Sequence, residues 1–78
     1  MTAIEITNRT INRFYKMASV DWADDKQAQR QAMEQAFGAA IMMSDFLWEQ
    51  GLHDESKEVE NLWQNEWSPK FTKLVWGI

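Results

Sequence analysis

The chain has 78 residues, which is enough for one small domain with a single core. It contains no cysteine, so disulfides and thiolate metal sites are excluded, and a reducing compartment such as the cytoplasm is compatible. Twelve acidic and eight basic residues give a net charge of −4, which argues against binding nucleic acid through its phosphates. We therefore expect one domain over residues 1–78, located in the cytoplasm, without direct contact to DNA or RNA.

No segment has the length and composition of a membrane span. The longest apolar run, residues 39–43, is far shorter than the roughly 20 residues that cross a bilayer. The N-terminal residues also lack the basic and then apolar order of a secretion signal. We therefore expect neither membrane association nor secretion.

The first predicted helix covers residues 3–18. Thr2 and Glu5 have the spacing of a capping box, in which each side chain bonds the backbone N–H of the other residue. Arg9 and Arg13 fall on the side that faces solvent or an acidic partner. Residues at helical spacing on the opposite side form an apolar stripe that should face the core, and they are Ile4, Thr7, Ile11, Phe14, Tyr15 and Ala18.

The second predicted helix is the longest. It begins near Asp21, in a stretch whose aspartates suit an N-cap and the positive end of the helix dipole. It ends at Gln50, because Gly51 suits the left-handed position of a Schellman stop and Leu52 can then fold back on the helix. At about 29 residues and 1.5 Å per residue, this helix would be about 43 Å long and would overhang its neighbours.

Helix two carries two apolar stripes side by side. The first contains small residues that let a neighbouring helix approach closely, namely Ala28, Ala32, Ala36, Ala39 and Ala40, continued by Met43, Phe46 and Leu47. The second consists of Met33, Phe37, Ile41, Ser44 and Trp48. Together the stripes are wider than one neighbouring helix can cover. We therefore predict a homodimer that associates through Phe37 and Ile41.

One acidic residue interrupts the apolar part of helix two. Asp45 projects away from the alanine stripe, together with Glu34 and Glu49, which indicates a side that faces solvent. If helix two were buried on all sides, Asp45 would need a cationic partner from helix one or from another protein.

A third predicted helix begins near Asp54, and its apolar face consists of Val59, Leu62, Trp63 and Trp67. Pro69 should end it by Ser68. A short fourth helix follows, with Ser68 as its N-cap and an apolar face made of Phe71, Leu74, Val75 and Ile78. The alternative is an extended, docked tail, because Val75 and Trp76 also favour strands. The predicted fold is all-α, a three-helix bundle with a long central helix two and a short fourth C-terminal helix or docked tail.

No pattern typical of catalysis is present in the sequence. His53 is the single histidine, and without cysteine it has no companion for a nucleophilic pair or a metal site. Adjacent carboxylates such as Asp24 and Asp25 lie at helix starts, where negative charge is expected in any case. Glycine-rich phosphate loops and dinucleotide fingerprints are missing. We therefore predict no enzyme activity, no metal and no cofactor.

Five tryptophans are an unusual aromatic content for so short a chain. Trp and Arg are enriched at binding hot spots, which favours a non-catalytic protein–protein interaction module, such as a small inhibitor or regulator of a larger protein. The candidate partner-binding residues are Trp48, Trp63, Trp67, Trp76, Arg9 and Arg13. Alternatively, the tryptophans enlarge a small core. Two other functions stay open, a structural subunit of a larger assembly and an acidic protein that imitates DNA.

Overall fold

The computed structural model describes residues 1–77, and within this range it contains helices and no strand. The helices pack side by side in a body of 41 × 22 × 16 Å. The elements in chain order are α1 (Ala3–Lys16), a π-helical turn (Met17–Asp21), α2 (Lys26–Glu49), α3 (His53–Leu62), a second π-helical turn (Trp63–Trp67) and α4 (Ser68–Trp76). The all-α fold predicted from the sequence is confirmed. The predicted contact of Ile78 lies outside the described residues.

The N-terminal cap of α1 forms at the predicted residues. The hydroxyl oxygen of Thr2 accepts a hydrogen bond from the backbone N–H of Glu5 at 3.2 Å. The same hydroxyl donates to the Glu5 carboxylate at 3.1 Å, so this carboxylate does not take the N–H that a full capping box would use. At its other end the helix widens into a π turn, in which the Trp22 N–H bonds the Met17 carbonyl at 3.0 Å. The helical backbone therefore continues beyond Ala18, the predicted end of the first helix.

α2 begins later than predicted. Asp21 belongs to the π turn, and the N-cap is Asp25, whose carboxylate accepts from the Ala28 N–H at 3.0 Å. α2 therefore has 24 residues and is about 36 Å long. The helical path from His53 to Trp76 is equally long. α2 is therefore shorter than predicted, because a different aspartate caps it; it still exceeds the first helical segment, Ala3 to Asp21, but not the path from His53 to Trp76.

The predicted Schellman stop at the end of α2 is confirmed. Gly51 has a φ of 80°. The Leu52 N–H bonds the Leu47 carbonyl at 2.9 Å, and the Gly51 N–H bonds the Trp48 carbonyl at 3.0 Å. A residue with a Cβ would adopt this left-handed backbone at a cost of about 1–2 kcal/mol. The glycine therefore sets the sharp turn that brings α3 back along α2.

Pro69 does not end the third helix, contrary to the prediction. Trp67 and Ser68 keep right-handed helical dihedral angles, so Ser68 is not an N-cap. In the π turn the Ser68 N–H bonds the Trp63 carbonyl, five residues back. This wider spacing gives the proline ring the room that an α-helix interior lacks. α4 continues to Trp76, so the fourth helix is confirmed and the extended tail was the wrong alternative.

The core lies where the three helical segments face one another. Along α3 and α4 its residues recur at intervals of four, and they are Val59, Trp63, Trp67, Phe71 and Val75. In a regular α-helix each such step rotates the side chain by about 40°, because four residues exceed one turn of 3.6. The π turn holds more residues in its ring, so it reduces this rotation and keeps the series directed at the core.

Small residues on α2 leave space for the rings of α3 and α4. Ala36 is fully buried and Ala40 is 3% exposed. The Phe71 ring lies 5.2 Å from Tyr15 in an edge-on arrangement and 5.7 Å from Trp63. Pairs in this distance range contribute about 0.5–1.5 kcal/mol beyond the area they bury. The core is therefore a ring cluster packed on a helix of alanines.

A buried glutamine joins the start of α2 to the end of the first helical segment. Gln29 is 1% exposed, and its amide nitrogen donates to the Ala18 carbonyl at 3.1 Å. The same nitrogen lies 3.4 Å from the Ala23 carbonyl. Ala18 lies within the π turn and Ala23 follows it, so the Gln29 side chain supplies donors to carbonyls at the irregular junction before α2.

Candidate protein-binding surfaces

The exposed large apolar side chains lie mainly on two flanks of α2. The flank toward α3 and α4 carries a surface that we call the aromatic face, made of Phe37, Ile41, Trp48 and Trp76. The flank toward α1 carries a depression that we call the α1–α2 groove, lined by Ile6, Thr7, Thr10, Ala39, Met42, Met43 and Phe46. Both surfaces face away from the core, so both are available to another molecule.

The aromatic face is a row along α2. Phe37, Ile41 and Trp48 are spaced by four and seven residues, so they follow one another over about 16 Å of the helix. They are 45%, 44% and 50% exposed. Trp76 extends the row from the end of α4, because it lines the same cleft as Phe37 and Arg30. The Arg30 guanidinium lies 5.8 Å from the centre of the Trp76 ring, within cation–π range.

Two rings of the aromatic face rest on other side chains of the same molecule. The Phe37 ring lies 5.3 Å from the Trp63 ring, at an angle of 37°. At the other end of the row, Trp48 stacks on His53 at 3.8 Å and 25°. These contacts restrict the rings before any partner arrives, which lowers the entropy that binding would remove.

A cleft of about 270 Å³ opens between α2 and α3 in the middle of the aromatic face. Phe37, Ile41 and Trp63 form its apolar wall. Asp45 and Glu60 also line it, and both are exposed carboxylic acids. A Lys or Arg side chain has the matching chemistry, since its aliphatic stem packs on rings while its cation bonds carboxylates.

Buried hydroxyls lie beneath this cleft and join α2 to α3. The hydroxyl oxygens of Ser44 and Ser56 are 2.8 Å apart, and Ser56 also donates to the Ser44 carbonyl at 2.8 Å. Ser44 lies 3.3 Å from a Glu60 carboxylate oxygen. The cluster therefore fixes the separation of the two helices and helps to orient one acid of the cleft.

The α1–α2 groove has a different character. Its volume is about 440 Å³, and its most exposed side chains are Met42 at 74% and Phe46 at 58%, with Ile6 at 42%. The hydroxyls of Thr7 and Thr10 donate to carbonyls of α1 itself, at 2.8 and 2.9 Å. Because these donors are already used, the groove offers mainly apolar contact.

The tryptophans proposed to bind a partner fall into two groups. Trp48 and Trp76 lie at the surface, at 50% and 52% exposure. Trp63 and Trp67 are 7% and 5% exposed, because they belong to the series of core residues spaced by four. The indole N–H of Trp67 also donates to Asn8 at 2.8 Å, which holds it against α1. These two tryptophans are therefore core residues, and the partner-binding hypothesis no longer includes them.

The other predicted contact residues are accessible. Arg9 and Arg13 are exposed on α1, and Phe37 and Ile41 are about half exposed on the aromatic face. Sequence reasoning did not identify the groove as a surface. It assigned Phe46 to the alanine stripe, and it gave no role to Ile6 or Met42. The only sequence signal for Ile6 and Met42 was that each lies next to a predicted apolar stripe on the surface of its helix.

Within residues 1–77, no three His, Asp or Glu side chains lie close enough to hold a metal ion. In the same range, no helix has the length and apolar content to cross a bilayer. Comparison with protein-family models, curated proteins and solved structures finds no match to this chain. Its function is therefore inferred from the two surfaces.

Proposed function

We propose that this chain is a non-catalytic protein-binding module, a small inhibitor or regulator that covers a surface of a larger protein with its aromatic face. The observation that supports this function is the row of Phe37, Ile41 and Trp48 with Trp76, all about half exposed on one side. Single exposed apolar side chains are ordinary on any protein surface. A contiguous row bordered by charged residues is typical of an interface.

The rings of the row suit a binding role for an energetic reason. Trp is enriched among the residues that dominate binding, because its large ring is desolvated in a pocket of the partner. Trp48 is already stacked on His53, and Phe37 is already packed on Trp63. Binding therefore orders few additional rotamers, and more of the contact energy contributes to affinity.

The cleft indicates the chemistry of the partner. Its carboxylates, Asp45 and Glu60, flank an apolar wall, and the whole chain has a net charge of −4. A partner surface with a protruding Lys or Arg among apolar residues complements this arrangement. The basic side chain would enter the cleft, and the surrounding apolar residues would cover the row of rings.

The first experiment is capture of the partner with tagged chain from its native source, followed by affinity measurement with variants of both flanks. We expect Trp48→Ala to weaken binding at least about tenfold, mainly through faster dissociation. Met42→Ala is the matched control, because Met42 is more exposed and lies on the opposite flank. Normal binding by Trp48→Ala together with lost binding by Met42→Ala would refute the aromatic face as the docking surface.

The cleft is tested by Glu60→Gln, which keeps the shape of the side chain and removes its charge. We expect affinity to fall several-fold, and the loss to shrink as salt screens the remaining charges. Capture of several subunits of one machine would instead favour a structural subunit. If charge removal at Asp54 and Glu58 abolishes binding while Trp48→Ala binds normally, the acidic imitation of DNA replaces our proposal.

A further inference from the structure

We propose that the cleft between α2 and α3 is a binding site for the guanidinium group of an arginine side chain. The proposal rests on the proposed function and deepens it, because it names which basic residue of the partner enters the aromatic face. Three features of the cleft support it, namely its size, the positions of its carboxylates and the rings in its wall.

The cleft has the size of one side chain. Its volume is about 270 Å³, which is below the roughly 300–1,000 Å³ of sites that hold drug-sized molecules. Ala40 and Ser44 form its floor and are 3% and 4% exposed. These small residues leave the depth between the larger Ile41 and Trp63. A single side chain that projects from a partner therefore matches the cleft better than a ligand with several rings.

The charges of the cleft select a cation. Asp45 belongs to α2 and Glu60 to α3, so the two carboxylates approach from different helices. Among the described residues, none that lines the cleft is basic, and Lys57, three residues before Glu60, lies outside the lining. The Ser44 hydroxyl lies 3.3 Å from one oxygen of Glu60, so the other oxygen can accept from a ligand. The cleft therefore offers acceptors on two sides to a cation that enters from outside.

Acceptors on two helices favour arginine over lysine. A guanidinium presents several N–H donors in a planar fork, so one group can bond both Asp45 and Glu60. The ammonium of lysine is a compact point charge, and it is more strongly hydrated than a guanidinium. Gln64 lines the same cleft, and the oxygen of its amide is a further acceptor. Arginine therefore uses more of the acceptors of the cleft and loses less hydration on entering it.

The wall of the cleft also favours a planar cation. The rings of Phe37 and Trp63 both line the cleft, and their centres lie 5.3 Å apart. Trp63 is 7% exposed and Phe37 is 45% exposed, so Phe37 provides the accessible ring. A guanidinium that stacks on a ring keeps its in-plane N–H groups available to carboxylates. We therefore expect the arginine to stack on Phe37 while it bonds the two acids.

NMR titration of the full chain with single blocked residues tests the site without the partner. The probes are the N-acetyl methylamides of arginine, lysine and citrulline, of which citrulline keeps the shape of arginine without its charge. We expect arginine to shift the N–H signals of Glu60 and Gln64, with a dissociation constant in the millimolar range. Lysine should bind at least about threefold more weakly, and citrulline at least about tenfold more weakly. Lysine or citrulline that binds as tightly as arginine, or arginine that gives no saturable shift, would overturn the proposal.

Matched variants test the position of the site. Glu60→Gln and Asp45→Asn should each weaken arginine binding at least about fivefold. Glu58→Gln is the control, because it removes the same charge from the same helix and Glu58 lies outside the lining of the cleft. Circular dichroism checks that the variants keep their helices. If Glu58→Gln weakens binding as much as Glu60→Gln, only the net charge attracts arginine, and the assigned site is wrong.

Phe37→Leu tests the stacking, because leucine keeps an apolar wall without the ring. We expect arginine binding to weaken about threefold and lysine binding to change little. An equal loss for both probes would contradict the preference for a planar cation.

The arginine site and the proposed function can fail separately. If arginine binds the cleft as expected but Trp48→Ala leaves the affinity for the captured partner unchanged, the site stands and the aromatic face is not the docking surface. If Trp48→Ala weakens partner binding but arginine gives no saturable shift, the proposed function stands and the arginine site is wrong.

Discussion

The two flanks of α2 are held by different kinds of contact. On the flank toward α3, Phe37 packs on Trp63, and the hydroxyls of Ser44 and Ser56 are hydrogen-bonded to each other. On the flank toward α1, the groove is lined by aliphatic and thioether side chains and by the ring of Phe46, which pairs with no other ring in the described residues, and its threonine hydroxyls bond within α1. Hydrogen bonds and ring pairs require defined geometry, whereas aliphatic contact does not. The α2–α3 contact is therefore the more specific of the two.

The same difference separates the surfaces that these flanks present. The rings of the aromatic face have few rotatable bonds and are braced by neighbours, which suits one partner of fixed shape. Met42 in the groove has a flexible, polarisable side chain that adapts to what covers it. We therefore expect the aromatic face to select its partner by shape, whereas the side chains of the groove could adjust to a wider range of contacts.

The largest expected effect comes from removing the ring beneath the aromatic face. Trp63→Ala should lower the free energy of unfolding by about 3–5 kcal/mol, because it leaves a cavity among buried rings. A urea titration followed by circular dichroism measures this loss. The control on the other flank is Met43→Ala, where a half-buried, flexible side chain should cost clearly less. Equal losses would show that both flanks contribute alike to stability.

The buried hydroxyls give a second, smaller test. Ser56→Ala should lower the free energy of unfolding by about 1–3 kcal/mol, because the Ser44 carbonyl and hydroxyl lose a partner away from water. Thr10→Ala is the matched change on the groove flank, where the hydroxyl bonds the Ile6 carbonyl of its own helix. We expect it to change stability by less than about 0.5 kcal/mol. If Thr10→Ala lowered the free energy of unfolding as much as Ser56→Ala, the conclusion that the α2–α3 contact is the more specific one would be contradicted.

Local signals in the sequence predicted some helix boundaries and misplaced others. Gly51 and Leu52 located the end of α2, because a Schellman stop depends only on neighbouring residues. The sequence did not identify Asp25 as the N-cap of α2, because Asp21, Asp24 and Asp25 all suit this position. The path of the preceding π turn selects Asp25. Pro69 gave the wrong boundary, because a π turn accommodates it.

The surfaces were harder to predict than the fold. Trp63 and Trp67 have the composition of hot spots, yet their spacing of four with Phe71 marks a core series. Exposure of Met42 and Phe46 depends on where α1 crosses α2, which no local pattern specifies. Periodicity therefore indicates which residues share a face, but the packing of neighbouring helices decides which faces stay open.

Two glycines, one inside α2 and one in the turn that follows it, allow the cost of backbone strain to be distinguished from the effect of helix propensity. Gly51 has a φ of 80°, so Gly51→Ala should cost about 1–2 kcal/mol and loosen the turn that leads to α3. Gly38 lies inside α2 with open space around it, so Gly38→Ala should raise the free energy of unfolding by about 0.5–1 kcal/mol. Thermal unfolding of both variants measures the difference. If both substitutions changed the free energy of unfolding in the same direction, the roles assigned to Gly51 and Gly38 would be wrong.

The smallest expected effect concerns the far end of the aromatic face. The Lys26 amine donates to the Leu74 carbonyl at 2.9 Å, which joins the start of α2 to the last turn of α4. Because this contact is exposed, Lys26→Met should change the global free energy of unfolding by less than about 1 kcal/mol. Its effect should be local, since a helix end that loses a partner frays before the core opens.

Hydrogen exchange followed by NMR detects this fraying. The Gly77 N–H bonds the Lys73 carbonyl at 2.8 Å, and its exchange should become faster in Lys26→Met. Lys57→Met is the control, because Lys57 is exposed on α3, far along the helical path from α4. Looser packing of the last turn would also free Trp76 from Arg30, so the aromatic face would lose part of its order at this end. If Gly77 exchanges equally fast in both variants, the last turn of α4 is held by its buried residues alone, and the lysine contributes nothing to the shape of the aromatic face.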